Sequence, residues 1–112
     1  MKIISEKISK QELKQIADED YGFYVKAVVD IENEIIAVGG ELHSDEEAML
    51  LDQGSKQNDL WGINIYIDKP NDERLEFDSM INIRPGLGNR SRGVDNHELK
   101  EKIIEVVNKL IE

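Results

Sequence analysis

The chain has no cysteine. Disulfides, thiolate nucleophiles and every cysteine-based metal site are therefore excluded. A cysteine-free chain suits a reducing compartment, so a cytoplasmic location is expected. No apolar run approaches the roughly 18 residues that would span a bilayer, and no basic start is followed by a secretory apolar stretch. Aromatic residues make up only 5%, and there are two prolines. Basic residues are scarce against acidic ones, 14 against 24, for a net charge of −10. That balance disfavours nucleic acid and anionic membranes as partners, because both are bound through basic surface.

What is present is enough for one modest core. With 112 residues, 39% of them hydrophobic, the chain is expected to form a single α+β domain over 1–112. Ile, Leu and Val recur in periodic runs, which argues against disorder despite the charge. Residues 2–4 could form a short strand. Ser9 and Glu12 make a capping box, with Leu13, Ile16 and Ala17 following at helical spacing. Gly22 can take the left-handed turn after that helix.

From Phe23 to His43 the choice is between a long helix and a hairpin, and the density of β-branched residues favours two strands, about 24–31 and 35–42, turning at Glu32-Asn33. Both faces of this hairpin carry apolar residues. It is expected to be covered on both sides or to sit centrally in a sheet, with the cover supplied by a second copy in a homodimer or by helices of the same chain. Ser44 and Glu47 form a second capping box before a short helix, about 45–52. Leu60–Asp68 alternates as a strand, with Trp61, Ile63 and Ile65 inward and Asn64 and Tyr66 opposite. Leu75, Phe77, Ser79, Ile81 and Ile83 alternate as its partner, with Glu76, Asp78, Asn82 and Arg84 on the other face. Asp95-Asn96-His97-Glu98 can cap a last helix carrying Leu99, Ile103, Val106, Val107 and Leu110. The expected architecture is a four-stranded, mainly antiparallel sheet of two hairpins with three helices, in the order α-ββ-α-ββ-α.

Charge is unevenly spread. Residues 27–55 hold eight acids and no Lys or Arg, whereas residues 79–94 hold three of the four arginines and no acid. The segments from Val25 to Ile31, Gly39 to His43, Gly54-Ser55, Leu60-Trp61-Gly62, Ile81 to Pro85 and Asn89-Arg90-Ser91 together resemble a family of short prokaryotic proteins of unknown function. The resemblance spans almost the whole chain and implies no activity, cofactor or catalytic residue.

Three constellations could carry chemistry. The first is the loop with Arg84, Asn89, Arg90, Ser91 and Arg92. Guanidinium forks match phosphate and carboxylate, and the interspersed glycines let backbone N–H groups form an anion-binding concavity. The alternative is that these arginines pair with the protein's own acids. The second is Glu41, His43 and Asp45, placed on one face by strand periodicity. His43 could act as general acid–base with Glu41 orienting it, and the trio could also hold a metal. Capping and the helix dipole account for most of that segment without either role. The third is Trp61 with Asn64, where Trp61 reads as core more readily than as a stacking platform.

The leading expectation is a small non-catalytic binding or interaction protein whose arginine loop recognises an anionic ligand or an acidic partner. The alternative is a small enzyme acting on a phosphate- or carboxylate-containing substrate, with His43 and Glu41 as acid–base pair and Arg84, Arg90 and Arg92 stabilising negative charge. No cofactor and no metal is implied.

Overall fold

The computed structural model describes residues 1–112. The first helix, α1 (Lys10–Asp18), starts as its capping box requires: Ser9 accepts a hydrogen bond from the Glu12 N–H. Gly22 follows with φ of 87° and donates its N–H to the Ala17 carbonyl. The β-branched run then becomes strand β2 (Tyr24–Asp30), paired antiparallel with β3 (Ile35–Val38).

The turn between these strands has no glycine: Glu34 takes the left-handed backbone, with φ of 54°, and buried Asp30 ties the turn together. The Asp30 carboxylate accepts the N–H groups of Glu32 and Asn33, the Asn33 side-chain amide and the Ser55 hydroxyl, the last at 2.6 Å.

The sheet corrects the four-stranded, two-hairpin expectation. It has five antiparallel strands in the order β1-β3-β2-β4-β5, with β1 (Lys2–Ile4), β4 (Leu60–Tyr66) and β5 (Leu75–Glu76) completing it. Three residues at the start of the chain are enough to pair with β3 and become an edge. The second hairpin shrinks. Its predicted return strand stops after two residues, and Met80–Asn82 forms a single tight helical turn. The alternation of Leu75 to Ile83 was real, but only its first part is strand. Leu75 and Phe77 pack on the main core, whereas Ile81 packs on the opposite side of the sheet.

Gly62 makes that departure possible. A Cβ placed there would meet the Ser79 side chain at 2.6 Å. The bare backbone lets Ser79–Asn82 lie directly on the sheet. Asn82 then acts as the missing strand: its Oδ1 accepts the Gly62 N–H at 2.8 Å, and its Nδ2 donates to the Gly62 carbonyl at 2.9 Å. Farther along the same edge, Arg84 donates to the Leu60 carbonyl at 2.7 Å. The outer edge of β4 is thus closed by β5 at one end and by side chains at the other.

Helices cover both faces of the sheet. α1 and α3 (His97–Leu110) lie on one side. There Val25, Ala27, Val29, Trp61, Ile63 and Ile65 join Leu13, Ala17, Ile103, Val106, Val107 and Leu110 in the main core. α2 (His43–Asp52) covers the other side, where Val28, Ala37, Leu50 and Leu60 form a smaller cluster. One chain therefore supplies both covers for the first hairpin, without a second copy.

α2 begins earlier than the expected 45–52. His43 is its first residue, Leu42 stands at the cap position, and Ser44 caps nothing. α3 is capped as its sequence implies, with the Asn96 side chain accepting the Leu99 N–H. No helix is long and apolar enough to cross a membrane.

Candidate functional site

The arginine loop folds back on itself. Arg84 and Asn89 exchange backbone hydrogen bonds in both directions, a helical turn at Pro85–Leu87 lies between them, and Gly88 supplies the left-handed residue with φ of 80°. Asn89 is 4% exposed and serves as the loop's internal frame. Its Nδ2 donates to the carbonyls of Asn82, Ser91 and Gly93, and its Oδ1 accepts the Asp95 N–H. The Asp95 carboxylate accepts the Ser91 hydroxyl at 2.6 Å and the Arg90 N–H. These bonds, the Ser91 hydroxyl first, hold the Asp95 carboxyl below its ordinary pKa.

The guanidiniums diverge. Arg84 is drawn inward: it pairs with Glu47 at 2.9 Å and lies over the Trp61 ring, 5.0 Å from its centroid. Arg92 pairs through Nε with Asp78, and the Arg90 side chain is exposed and forms no hydrogen bond or ion pair. Only one of the three arginines, Arg84, is therefore paired with the acid-rich 27–55 segment.

Because Arg84 works on the sheet edge, Arg84→Ala is expected to lower stability by about 2 kcal/mol, the scale for removing a part-buried, charge-assisted hydrogen bond. Urea denaturation would measure it. A loss below about 0.5 kcal/mol would place Arg84 among ordinary exposed ion pairs.

His43 and Glu41 part company. His43 is buried at the start of α2 with Nε2 2.8 Å from the Ile63 carbonyl oxygen. A carbonyl only accepts, so Nε2 carries the proton and Nδ1 is left as the acceptor. Burial pushes the His43 pKa down, helped by the charges of Lys26 and Arg92 and opposed by the Ile63 carbonyl and Asp78. Glu41 is exposed. Its backbone carbonyl takes the Tyr21 hydroxyl, and no hydrogen bond joins it to His43. No three His, Asp or Glu side chains are grouped as metal ligands would be.

One cleft gathers parts of all three constellations. It has a volume of about 400 Å³ and lies on the α2 side of the sheet, where His43 and Arg92 meet Lys26, Asn64, Glu76 and Asp78, with Phe23, Tyr24 and Tyr66 along its margin. The strand register explains the polar set. Lys26 is opposite Asn64, and Asn64 is opposite Glu76, so the three form one row across β2, β4 and β5.

Asn64 is 8% exposed and donates through Nδ2 to Glu76 Oε1 at 2.8 Å. A carboxylate cannot donate, so this bond fixes the orientation of the amide. Its Oδ1 is therefore a buried acceptor, and it has no partner. Lys26 has no ion-pair partner either. Two other clefts, about 700 and 750 Å³, contain neither His43 nor an arginine.

Sequence reading found His43, Arg92 and Asn64 but missed Lys26, Glu76, Asp78, Tyr24 and Tyr66 as their company. Part of the signal was available: Tyr66, Glu76 and Asp78 were already on polar strand faces, whereas Lys26 and Tyr24 lie on a hairpin with apolar residues on both faces and needed the register to join them.

Fold and cleft together define a small α+β domain, a five-stranded antiparallel sheet between two helical layers, with a mixed-charge cleft under the start of α2. Residues 2–110 match the family described as Protein of unknown function (DUF5674), and the chain belongs to that family. No curated protein and no solved structure matches it.

Proposed function

We propose that this is a small binding protein whose site is the cleft between β2, β4 and the start of α2. The observation that carries the proposal is the buried, partnerless Asn64 Oδ1 beside a cation without an ion pair, Lys26. An orphaned buried acceptor costs about 1–3 kcal/mol, and a ligand N–H or O–H would recover it. Lys26 and Arg92 offer donors for an anionic or carbonyl group, and Glu76 and Asp78 balance their charge. The ligand is therefore polar, with an acceptor and a donor side by side.

Within the arginine loop, Arg84 and Asn89 are committed to the scaffold, which leaves Arg92 at the cleft and the exposed Arg90 for anion recognition. Binding is preferred to catalysis because His43 is held by the Ile63 carbonyl and lacks the Glu41 partner that acid–base work would use.

Amide-resonance titration with nucleosides, zwitterionic amino acids and dicarboxylates would test this reading. At least one class should move the resonances of Lys26, Asn64 and Arg92, and Asn64→Leu should weaken that compound about tenfold or more without loss of the fold. A panel that leaves all three residues unmoved would overturn it.

A further inference from the structure

The row Lys26–Asn64–Glu76 has a direction. It begins with a cationic donor, continues with a neutral acceptor and ends with a carboxylate. Asn64 Oδ1 is unpartnered, and Glu76 accepts Asn64 and Tyr66 through Oε1 while Oε2 takes no hydrogen bond. The complement is a rigid edge bearing an acceptor followed by two donors. Among the common nucleobases, the Watson–Crick edge of guanine has that order: a carbonyl, a ring N–H and an exocyclic amine. Adenine and cytosine each begin with a donor, and uracil has a single donor between two carbonyls.

The next row on the same face is aromatic. Tyr24 is opposite Tyr66, their rings are 5.6 Å apart, Tyr21 stacks on Tyr24 at 4.7 Å, and Phe23 stands 57% exposed beside them. Four of the chain's six aromatic rings are gathered here. These rings already face one another, and Lys69 lies over Tyr66, 4.4 Å from its centroid, so a flat base entering the cleft would meet the open margin of the aromatic cluster. At the margin, Arg92 engages Asp78 through Nε alone and keeps both terminal nitrogens for a phosphate.

We propose that the cleft binds a guanine nucleoside or nucleotide, with Lys26 on the base carbonyl, Asn64 Oδ1 on the ring N–H, Glu76 on the exocyclic amine and Tyr24 and Tyr66 against the ring. This rests on the cleft being a binding site and adds the class of ligand. The mononucleotide is favoured over an RNA chain because a net charge of −10 opposes a polyanion.

Calorimetry with guanosine, inosine and adenosine monophosphates on the full chain tests it. Inosine lacks only the exocyclic amine, so it should bind about tenfold more weakly than guanosine, and adenosine weaker still. In Glu76→Gln the guanosine-to-inosine ratio should collapse towards one. A ratio preserved in that variant, or equal binding of adenosine, overturns the assignment. A guanine-containing single-stranded oligonucleotide that binds more tightly than the mononucleotide also overturns it, in favour of an RNA. If nucleotides fail while an amino acid or dicarboxylate still moves Lys26, Asn64 and Arg92, only the ligand class falls. If nothing moves them, the binding reading falls as well.

Discussion

Replacing Glu46 by Gln should make the protein more stable, and the gain should grow with pH. Glu46 lies fully buried on α2, where Oε2 accepts the Gly40 N–H at 2.9 Å and Oε1 has no partner. Burial raises its pKa from 4.5 to about 9, although the Gly40 N–H and the charge of Lys26 pull the other way. The folded state therefore keeps a proton that the unfolded state releases above the ordinary carboxyl range. Stability from this group is fully present below pH 4.5 and drains away as pH rises towards about 9. The slope is about 1.4 kcal/mol per pH unit, so the wild type gives up roughly 3 kcal/mol by pH 7. Gln has the same shape, keeps an acceptor for Gly40 and never ionises. Wild type and Glu46→Gln should unfold alike near pH 4.5 and diverge above it, with the variant ahead by roughly 3 kcal/mol at neutrality. Parallel pH profiles in urea denaturation would show that Glu46 is solvated as an ordinary anion.

The opposite effect is expected at Asn82. Asn82→Ala should cost about 3–5 kcal/mol, because it strips two partners from Gly62 and one from the Arg92 carbonyl in a single step. Asn82 itself is fully buried, so water cannot replace the lost bonds without opening the edge. The unfolding midpoint should fall with the denaturant slope unchanged, since the core on the far side of the sheet is untouched. A cost below about 1 kcal/mol would mean that the Ser79–Asn82 turn docks on Ile81 packing rather than on these bonds.

Much of the fold was legible because it is local. Ser9 and Asn96 announce helix starts in four-residue patterns, and the 3.6 period of α3 needs no partner to be recognised. The strand density of Val25 to Val38 likewise marks β2 and β3. What escaped depends on distant residues. Ser44 resembles a cap, yet His43 enters the helix first because its ring is fastened to Ile63, twenty positions away. Asn82 sits in a correctly alternating pattern, but Gly62 converts that alternation into a docked turn. The cleft escaped for the same reason. Lys26, Asn64 and Glu76 are ordinary polar strand residues until the register aligns them, and an unmet hydrogen bond such as that of Asn64 Oδ1 has no sequence signature. The arginine loop stood out by composition, whereas its buried asparagine, Asn89, does more to shape it than Arg90.

The closure of β4 by Asn82 and Arg84 also governs how the molecule meets its own kind. A bare strand edge offers neighbours a continuous row of backbone donors and acceptors, the template on which fibrils and swapped dimers grow. Here that row is occupied by side chains of the same molecule, which no incoming strand can displace without first undoing the turn. At the two ends of the sheet, β5 exposes only Leu75–Glu76 and β1 only Lys2–Ile4, each too short a seam for a stable graft. The sheet is therefore finite by construction, and crowding should leave it unpolymerised.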